Sequence, residues 1–404
     1  MSFTTKHIKA KTLCIIDIGS YKLRACATKF KNQKIDILGY VEKRQDSSYF
    51  SNHECTNLPG LCQNIIEVIQ KLEAQITLPL DEIVVNYPFG ELFLGSKKIN
   101  YKRKHAGKGI TLTELEEIME SVEKLCLKKL TGDVERLYGL NSSDIQILLS
   151  RVNAISIDGE NHQKIIGKEG TNIRISLLNA FVPESKHKLM LQIGKVIHKK
   201  IFRILPSEYC LTRIFSQKNI VVVNLGATQT TVSVVRDQEI LGISKISIGI
   251  QDLVNKISRN TGKTQAEIID ILGEDCFELE KKAFLSVWGE SFGLTLGEIL
   301  GKYVCPKVFY LGGGGGGNAF IRSYLEDFNF SNFDLKITGT PNFVREDMSP
   351  IFHHMKHIRV EDIERIPLDM YVMLIELNHI ITREGDAVSN SLKTAIKKLG
   401  YLKS

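Results

Sequence analysis

The sequence predicts a mixed α/β protein made of two related halves, with a smaller α/β segment inserted into the first. Three observations predict it. A β-hairpin built on a polar residue, a glycine and small hydroxyl residues occurs twice, about 200 residues apart. Late in the second half a strand runs into six consecutive glycines and then a helix. Between the hairpins lies a stretch of about 90 residues with its own helix and strand pattern.

The first hairpin is "TLCIIDIGSYKLRACATKF", residues 12–30. An apolar run ends at Asp17, Gly19 and Ser20 turn the chain, and a second strand begins at about Lys22. The second is "NIVVVNLGATQTTVSVVRD", residues 219–237, where Asn224 takes the polar place and Gly226 the turn. Runs of Ile, Val and Thr around Gly and Ser are hairpin signals. Such a turn gathers consecutive backbone N–H groups into one concavity, which can hold a phosphate. Two copies, each opening a section of the chain, imply an internal duplication with a ligand held between the halves.

The third element is "PKVFYLGGGGGGNAFIRSYLEDF", residues 306–328. Six glycines carry a large backbone entropy cost, so they are poorly explained as filler. Between a strand and a helix they let main chain approach a ligand closely, and the helix N-terminus favours anions. No strand–helix–strand unit ending in an acidic residue surrounds them, so the dinucleotide fingerprint is not met.

In that order, these elements resemble the actin-like (ribonuclease H-like) nucleotide-binding superfamily, and within it the bacterial cell-division family FtsA. "DIGSYKLRA" (Asp17 to Ala25) resembles that family's first phosphate motif, and "LGGGGGGNAFI" its adenosine motif expanded by about three glycines. "ILGISKISIGIQDLVNKISRNTGKTQAEII" (Ile240 to Ile269) is similar to the stretch after its second phosphate loop. The resemblance implies a two-lobed nucleotide-binding fold with an inserted α/β subdomain in the first lobe. It divides the chain into a first lobe at 1–90 and 183–215, an insertion at 91–182, and a second lobe at 216–381. The second lobe would carry a helical subdomain at about 255–300; a linker at 382–390 and a terminal helix at 391–404 would follow.

The resemblance also implies ATP with Mg2+ in the cleft. Asp17 would hold the metal through water, with Gly19, Ser20 and Lys22 at the phosphates. Asn224, Gly226, Thr228 and Thr230 would form the second phosphate hairpin, and Gly312, Gly313 and Gly314 would lie against the nucleotide. One departure matters: the family has aspartate where this chain has Asn224. A neutral amide supplies no charge to hold Mg2+ or orient its water. Nucleotide binding with weak or absent hydrolysis is therefore expected. By resemblance the chain would polymerise and tether the C-terminal peptide of FtsZ to the inner face of the cytoplasmic membrane, using a surface somewhere in Ser258–Gly301.

Within the insertion, "GITLTELEEIMESVEKLCLKKL" reads as one amphipathic helix. Thr111 or Thr113 is placed to cap it with Glu114 or Glu116, and Leu115, Ile118, Met119, Val122 and Leu125 form its apolar stripe. "KIIGKEGTNI" (Lys164 to Ile173) matches the G-x-x-G loop of a KH domain, which clamps single-stranded nucleic acid. A KH loop joins two helices. Here "ILLSRVNAISIDGE" before it and "NIRISLLNAFVP" after it read as strands, so no nucleic-acid partner is expected.

At the end of the chain, "MYVMLIELNHII" (Met370 to Ile381) reads as the last helix of the second lobe. In "SLKTAIKKLGYLKS", Leu392, Ala395, Ile396, Leu399 and Leu402 share a face, with Lys393, Lys397 and Lys398 elsewhere. A basic amphipathic helix of this kind can lie in the headgroup region of an anionic membrane, and the alternative is a helix docked on the second lobe.

Composition constrains the rest. With 404 residues, 43% hydrophobic and 25% charged, this is an ordinary globular composition of two to four domains. No apolar run approaches 20 residues, so no spanning helix is expected, nor does the start carry a signal-peptide pattern. The net charge of +7, from 53 basic and 46 acidic residues, is too diffuse to single out nucleic acid or lipid. Eight scattered cysteines without C-x-x-C fit a reduced cytosolic protein. "HHMKH" (His353 to His357) lacks a second ligand cluster and reads as a surface loop. Three rivals remain beside the FtsA-like role. One is a PilM-like actin-fold component of type IV pilus assembly that binds a peptide from a membrane partner. The others are a small-molecule kinase, which Asn224 disfavours, and a nucleic-acid binder acting through the GKEG loop.

Overall fold

The computed structural model describes residues 11–31, 34–46, 49–51, 54–162, 164–215, 219–237, 239–344, 358–359, 366–382 and 386–399. His353–His357 and Leu402 lie outside the described residues. The chain divides into two compact units, one of Met1–Gly90 with Ile193–Glu376 and one of Glu91–Gln192 with Leu377–Ser404.

The first unit opens with an antiparallel meander, β1 (Lys11–Ile18), β2 (Lys22–Lys31) and β3 (Lys34–Arg44). A short ribbon, β4 (Phe50–Ser51) and β5 (Glu54–Cys55), leads to α1 (Leu58–Ile76). The Asn57 side chain caps α1 by accepting from the Gly60 N–H, one of the donors a helix start leaves unpaired. Leu61, Ile65, Val68, Ile69 and Leu72 recur at helical spacing and are buried. β6 (Glu82–Val85) then joins β1 in parallel.

The second unit contains β7 (Phe93–Lys102), α2 (Leu112–Tyr138), β8 (Ile145–Ile157), β9 (Glu160–Asn161) and β10 (Asn172–Pro183), and the chain leaves it along α3 (Glu184–Val196). Its antiparallel sheet runs β7-β10-β8-β9. Thr111 caps α2 by accepting from the Glu114 N–H at 3.2 Å. Leu115, Ile118, Met119 and Val122 are buried as expected, but Leu125 is 47% exposed. It sits at the edge of the stripe, and Cys126, one position on, continues the buried face.

The GKEG segment joins β9 to β10, so strands flank it and the KH context is absent. Its backbone is already engaged. The Gly167 N–H donates to Ile110 O at 2.8 Å, and Ile110 N–H returns to Lys168 O at 2.9 Å. Arg103, with a fully buried side chain, forks onto both Glu114 oxygens at 2.7 Å and donates to Gly170 O at 3.0 Å. Gly170 has φ +140°, and a Cβ there would lie 2.3 Å from Ile157 Cγ2, so only glycine fits.

Back in the first unit come β11 (Lys200–Ile204), α4 (Ser207–Ile214), and a second meander, β12 (Ile220–Leu225), β13 (Thr230–Arg236) and β14 (Glu239–Ile246). Three helices follow, α5 (Ile250–Thr261), α6 (Gln265–Ile271) and α7 (Glu278–Leu300). Thr264 and Glu267 form a reciprocal capping box at the start of α6. α7 buries Trp288 against the second meander, where its indole N–H donates to Thr230 Oγ1 at 2.9 Å. The same helix exposes Leu279, Val287 and Leu294. Next are β15 (Val308–Gly312), a helical turn α8 (Gly313–Gly316), α9 (Ala319–Glu326) and β16 (Asn342–Val344).

The two sheets repeat one design. The first runs β3-β2-β1-β6-β11 and the second β14-β13-β12-β15-β16, each an antiparallel meander continued by two parallel strands. The duplication reaches the turns. Gly19 N–H donates to Lys22 O at 3.0 Å, and Gly226 N–H to Gln229 O at 2.8 Å. Asp17 pairs across its hairpin with Arg24, as Asn224 does with Thr231.

Two expectations for the chain's end are corrected. β17 (Ile358–Arg359) pairs with β3 of the first sheet, so the chain has left the second lobe before 381. α10 (Leu368–Thr382) follows it, and its buried Glu376 accepts from Tyr209 Oη at 3.2 Å. The terminal helix, α11 (Ala387–Lys398), starts inside the expected linker, capped by Asp386, which accepts from the Ser389 N–H at 2.9 Å. Its apolar face is not free for lipid. Leu392 and Ile396 are buried in the core of the second unit with Val122 and Cys126 of α2, and Leu399 packs on the same cluster. Lys398 reaches Glu120 of α2 at 3.0 Å, while Lys393 and Lys397 are exposed. The helix is docked, and on the insertion, because its apolar stripe covers the back of α2. Among the described residues no helix is long and apolar enough to cross a membrane.

Candidate functional site

The two hairpin turns meet within the first unit. Ser20 Oγ lies 3.1 Å from Thr228 Oγ1, and a cavity of about 290 Å3 opens beside them. Asp17, Gly19, Ser20 and Lys22 line it from the first hairpin, and Asn224, Gly226 and Thr228 from the second. Gly313 and Gly314 complete the wall. Two expected residues are elsewhere. Thr230 is fully buried and bonded on both sides, donating to Ile248 O at 2.7 Å and accepting from Trp288. Gly312 ends β15 outside the lining, next to the Tyr310 ring.

Each glycine turn is made by the meander's own geometry, whereas the third is made by close packing. Gly313 has φ +80°, and a Cβ there would lie 2.4 Å from both Asn224 Oδ1 and Leu225 O. The glycine run therefore lets α8 settle against the end of β12. Asn318, at the start of α9, also lines the cavity and donates to Gly315 O at 2.9 Å.

Sequence reasoning missed several polar residues of this lining, and four of them matter for its charge. Arg24 Nη1 donates to Asp17 Oδ2 at 2.9 Å, and Asn86 Nδ2 donates to Asp17 Oδ1 at 2.7 Å. Asn86 is itself oriented by the Ile18 N–H, which donates to its Oδ1 at 2.8 Å. Glu208, at the start of α4, pairs with Lys245 at 3.0 Å, both nearly buried. Asp369 reaches the cavity from α10. A signal was present for two of them. Arg24 is a charged residue inside the first phosphate motif, and Asn86 directly follows the apolar run of β6.

Burial pushes the Asp17 carboxyl above the usual carboxylate range, against the pull of Arg24. Burial lowers the Arg24 pKa, but Asp17, Asp369 and Tyr40 together outweigh it and hold the guanidinium above its ordinary value. The Asp369 carboxyl is pushed up to about 7, by burial first and then by Asp17, with Arg24 opposing and Glu208 adding. Lys22 is turned to Glu42 at 2.8 Å.

One end of the cavity is thus polar, with turn amides and buried acceptors that lack protein donors, Asn224 Oδ1 and Gln229 Oε1. The other end is apolar, walled by Ile250, Val254, Ile269 and Leu272. A ligand with an anionic end for the turn amides and Arg24, hydroxyl donors for the two acceptors and a flat heterocyclic end suits this division. A protein-held divalent metal does not. Both Asp17 oxygens already have protein donors, and among the described residues no group of three His, Cys, Asp or Glu side chains converges on a metal position.

No family model and no curated protein matches this sequence. Solved structures do match. The PilM–PilN type IV pilus biogenesis complex is similar at 13% identity and a TM-score of 0.55, covering 95% of this chain and 98% of that one. The ethanolamine utilization protein EutJ from Carboxydothermus hydrogenoformans is similar at 11% identity and a TM-score of 0.43, covering 82% and 86%. A protein of actin-like ATPase fold and unknown function from Bacteroides thetaiotaomicron matches at 10% identity and a TM-score of 0.33, covering 93% and 98%. With the repeated sheets, the first of these likenesses shows the fold: a two-lobed actin-like α/β fold with an inserted α/β subdomain.

Proposed function

We propose that this chain is a nucleotide-binding assembly scaffold that works at the inner face of the cytoplasmic membrane by binding a peptide from a membrane partner, in the manner of PilM-like proteins. The observation that carries the nucleotide reading is the meeting of the two glycine turns, Ser20 against Thr228, over one cavity with a polar and an apolar end. ATP fits both ends: the turn amides would receive the phosphates, and Ile250, Val254, Ile269 and Leu272 would flank the base. Asn224 and the Arg24-bound Asp17 leave no free carboxylate on the two turns, which supports binding without efficient hydrolysis. The docked α11 supports recruitment through a partner rather than through a lipid-binding helix of the chain's own. The likeness to a PilM–PilN complex supports a peptide as that partner.

The FtsA-like reading, a filament that tethers FtsZ, draws on one observation. Leu279, Val287 and Leu294 of α7 are exposed within the segment that would carry FtsZ binding by analogy. One experiment separates the two. The protein is incubated with ATP and anionic liposomes, with and without FtsZ, and inspected by sedimentation and electron microscopy. The scaffold proposed here binds ATP, stays off bare liposomes and does not recruit FtsZ. Filaments on bare liposomes that capture FtsZ would establish the FtsA-like role instead.

A further inference from the structure

We infer that Arg24 takes the part a divalent cation plays beside the phosphates, so that this cleft binds a nucleotide without a metal ion. The inference rests on the nucleotide reading of the cavity. A hard cation such as Mg2+ is bound through oxygen, with carboxylates supplying charge. The duplicated hairpins offer two positions for that carboxylate, 17 and 224, and neither serves. Position 224 is an amide. At position 17 the carboxylate accepts from Arg24 at 2.9 Å through one oxygen and from Asn86 at 2.7 Å through the other. Of the other acids of the lining, Glu208 is held by Lys245 at 3.0 Å, and Asp369 comes from α10 and not from either turn.

Arg24 is placed to supply the missing charge. Its register opposite Asp17 brings it to the turn where phosphate is expected, and it lines the cavity. Its hydrogen bond to Asp17 uses Nη1 alone, so the fork has donor capacity beyond Asp17. A guanidinium offers five donors in a plane and meets phosphate oxygens two at a time, and unlike a lysine it keeps its charge when buried. The charged and titratable groups around it are Asp17, Asp369, Tyr40 and Glu42, its cross-strand partner on β3. The other cation of the lining, Lys22, is bonded to Glu42. The second hairpin has Thr231 at the corresponding place, so the cation stands on one side of the cleft.

The test titrates ATP into the full chain by calorimetry, once with excess Mg2+ and once with excess EDTA. The wild-type affinity should change less than about threefold on chelation, and Arg24→Gln should lose about tenfold or more in EDTA, the worth of one charge-assisted hydrogen bond. Because Arg24→Gln leaves Asp17 buried and unpaired, the double variant Asp17→Asn/Arg24→Gln serves as the folded control and should show the same loss. Asp17→Asn alone frees the guanidinium and should bind ATP in EDTA at least as tightly as wild type. A wild type that weakens tenfold on chelation, or an Asp17→Asn variant that loses binding, overturns the inference while the nucleotide reading stands. No ATP binding in either buffer overturns both.

Discussion

If α11 is part of the core of the second unit, trimming its buried face should destabilise that unit and leave liposome binding unchanged at nil. Leu392 and Ile396 are 4% and 5% exposed and share a cluster with Val122, Cys126 and Leu127 of α2. Truncating a buried Leu or Ile to Ala removes its transfer energy and leaves a cavity, about 2–3 kcal/mol at a site that can partly collapse. With about 3 °C lost per kcal/mol for a domain of this size, Leu392→Ala and Ile396→Ala should each lower the second unit's melting temperature by about 6–9 °C. Lys398→Ala removes only an exposed ion pair to Glu120, so its shift should be about 1 °C or less. A membrane helix would respond in the opposite order, since its lysines supply the attraction to anionic lipid. The assay is differential scanning calorimetry of each variant beside co-sedimentation with anionic vesicles. Unchanged melting in the Leu392 and Ile396 variants, with pelleting lost in a Lys393/Lys397/Lys398 triple variant, would refute the docked reading.

Gly313→Ala meets both a φ of +80° and a contact of 2.4 Å with Asn224 Oδ1. It should cost about 1–3 kcal/mol in thermal denaturation and abolish ATP binding, while Gly314→Ala, with nothing near its Cβ, should be tolerated. The Asp369 carboxyl, pushed up to about 7, is neutral below that pH and anionic above it. ATP affinity should therefore fall as pH rises from 6 to 8, and Asp369→Asn should flatten the profile in fluorescence titrations. Arg103→Ala leaves Glu114 and two carbonyls without their donor and should destabilise the second unit by about 3–5 kcal/mol by chemical denaturation. Because the GKEG amides are engaged within the fold, RNA retention on a filter should be as weak for wild type as for Lys168→Ala. Asn224→Asp returns a carboxylate to the second turn and should weaken ATP binding in EDTA while making it Mg2+-dependent; equal affinities in both buffers would contradict the role given to the amide.

Local features were legible in the sequence because local rules make them. The hairpins at Asp17 and Asn224, the Thr111 cap and the strand flanks of GKEG each depend on neighbours within a dozen residues, and the structure has all of them. The parts not legible depend on distant partners. Nothing near Asp17 in sequence announces Asn86, 69 residues on, which donates to it. Arg24 stood inside the quoted motif, but a strand residue is assigned to solvent or core only when its sheet is known. α11 carries the same basic amphipathic pattern whether its apolar side meets lipid or α2, so periodicity alone leaves its occupant open. Thr230 looked like a phosphate hydroxyl by position, yet Trp288 on a helix 58 residues away claims it.

The duplication gives these details a common sense. Superposing the two meanders by register pairs Asp17 with Asn224, Arg24 with Thr231, and Asn86 with Gly312, which stands at the same place on the adjoining parallel strand. The first half thus has an acid, a base and an amide where the second has an amide, a hydroxyl and a glycine. At these paired positions charge stands on the first half only. The neutral side gains something in exchange: without a side chain at 312 and 313, α8 can pack against the end of β12 and bring main chain to the cavity wall. One half would then meet a phosphate with a fixed guanidinium and the other with bare backbone. A symmetric pair of acids would instead repel a phosphate unless a cation came with it, which is why the asymmetry at 17 and 224, more than either residue alone, argues for binding that does not wait on Mg2+.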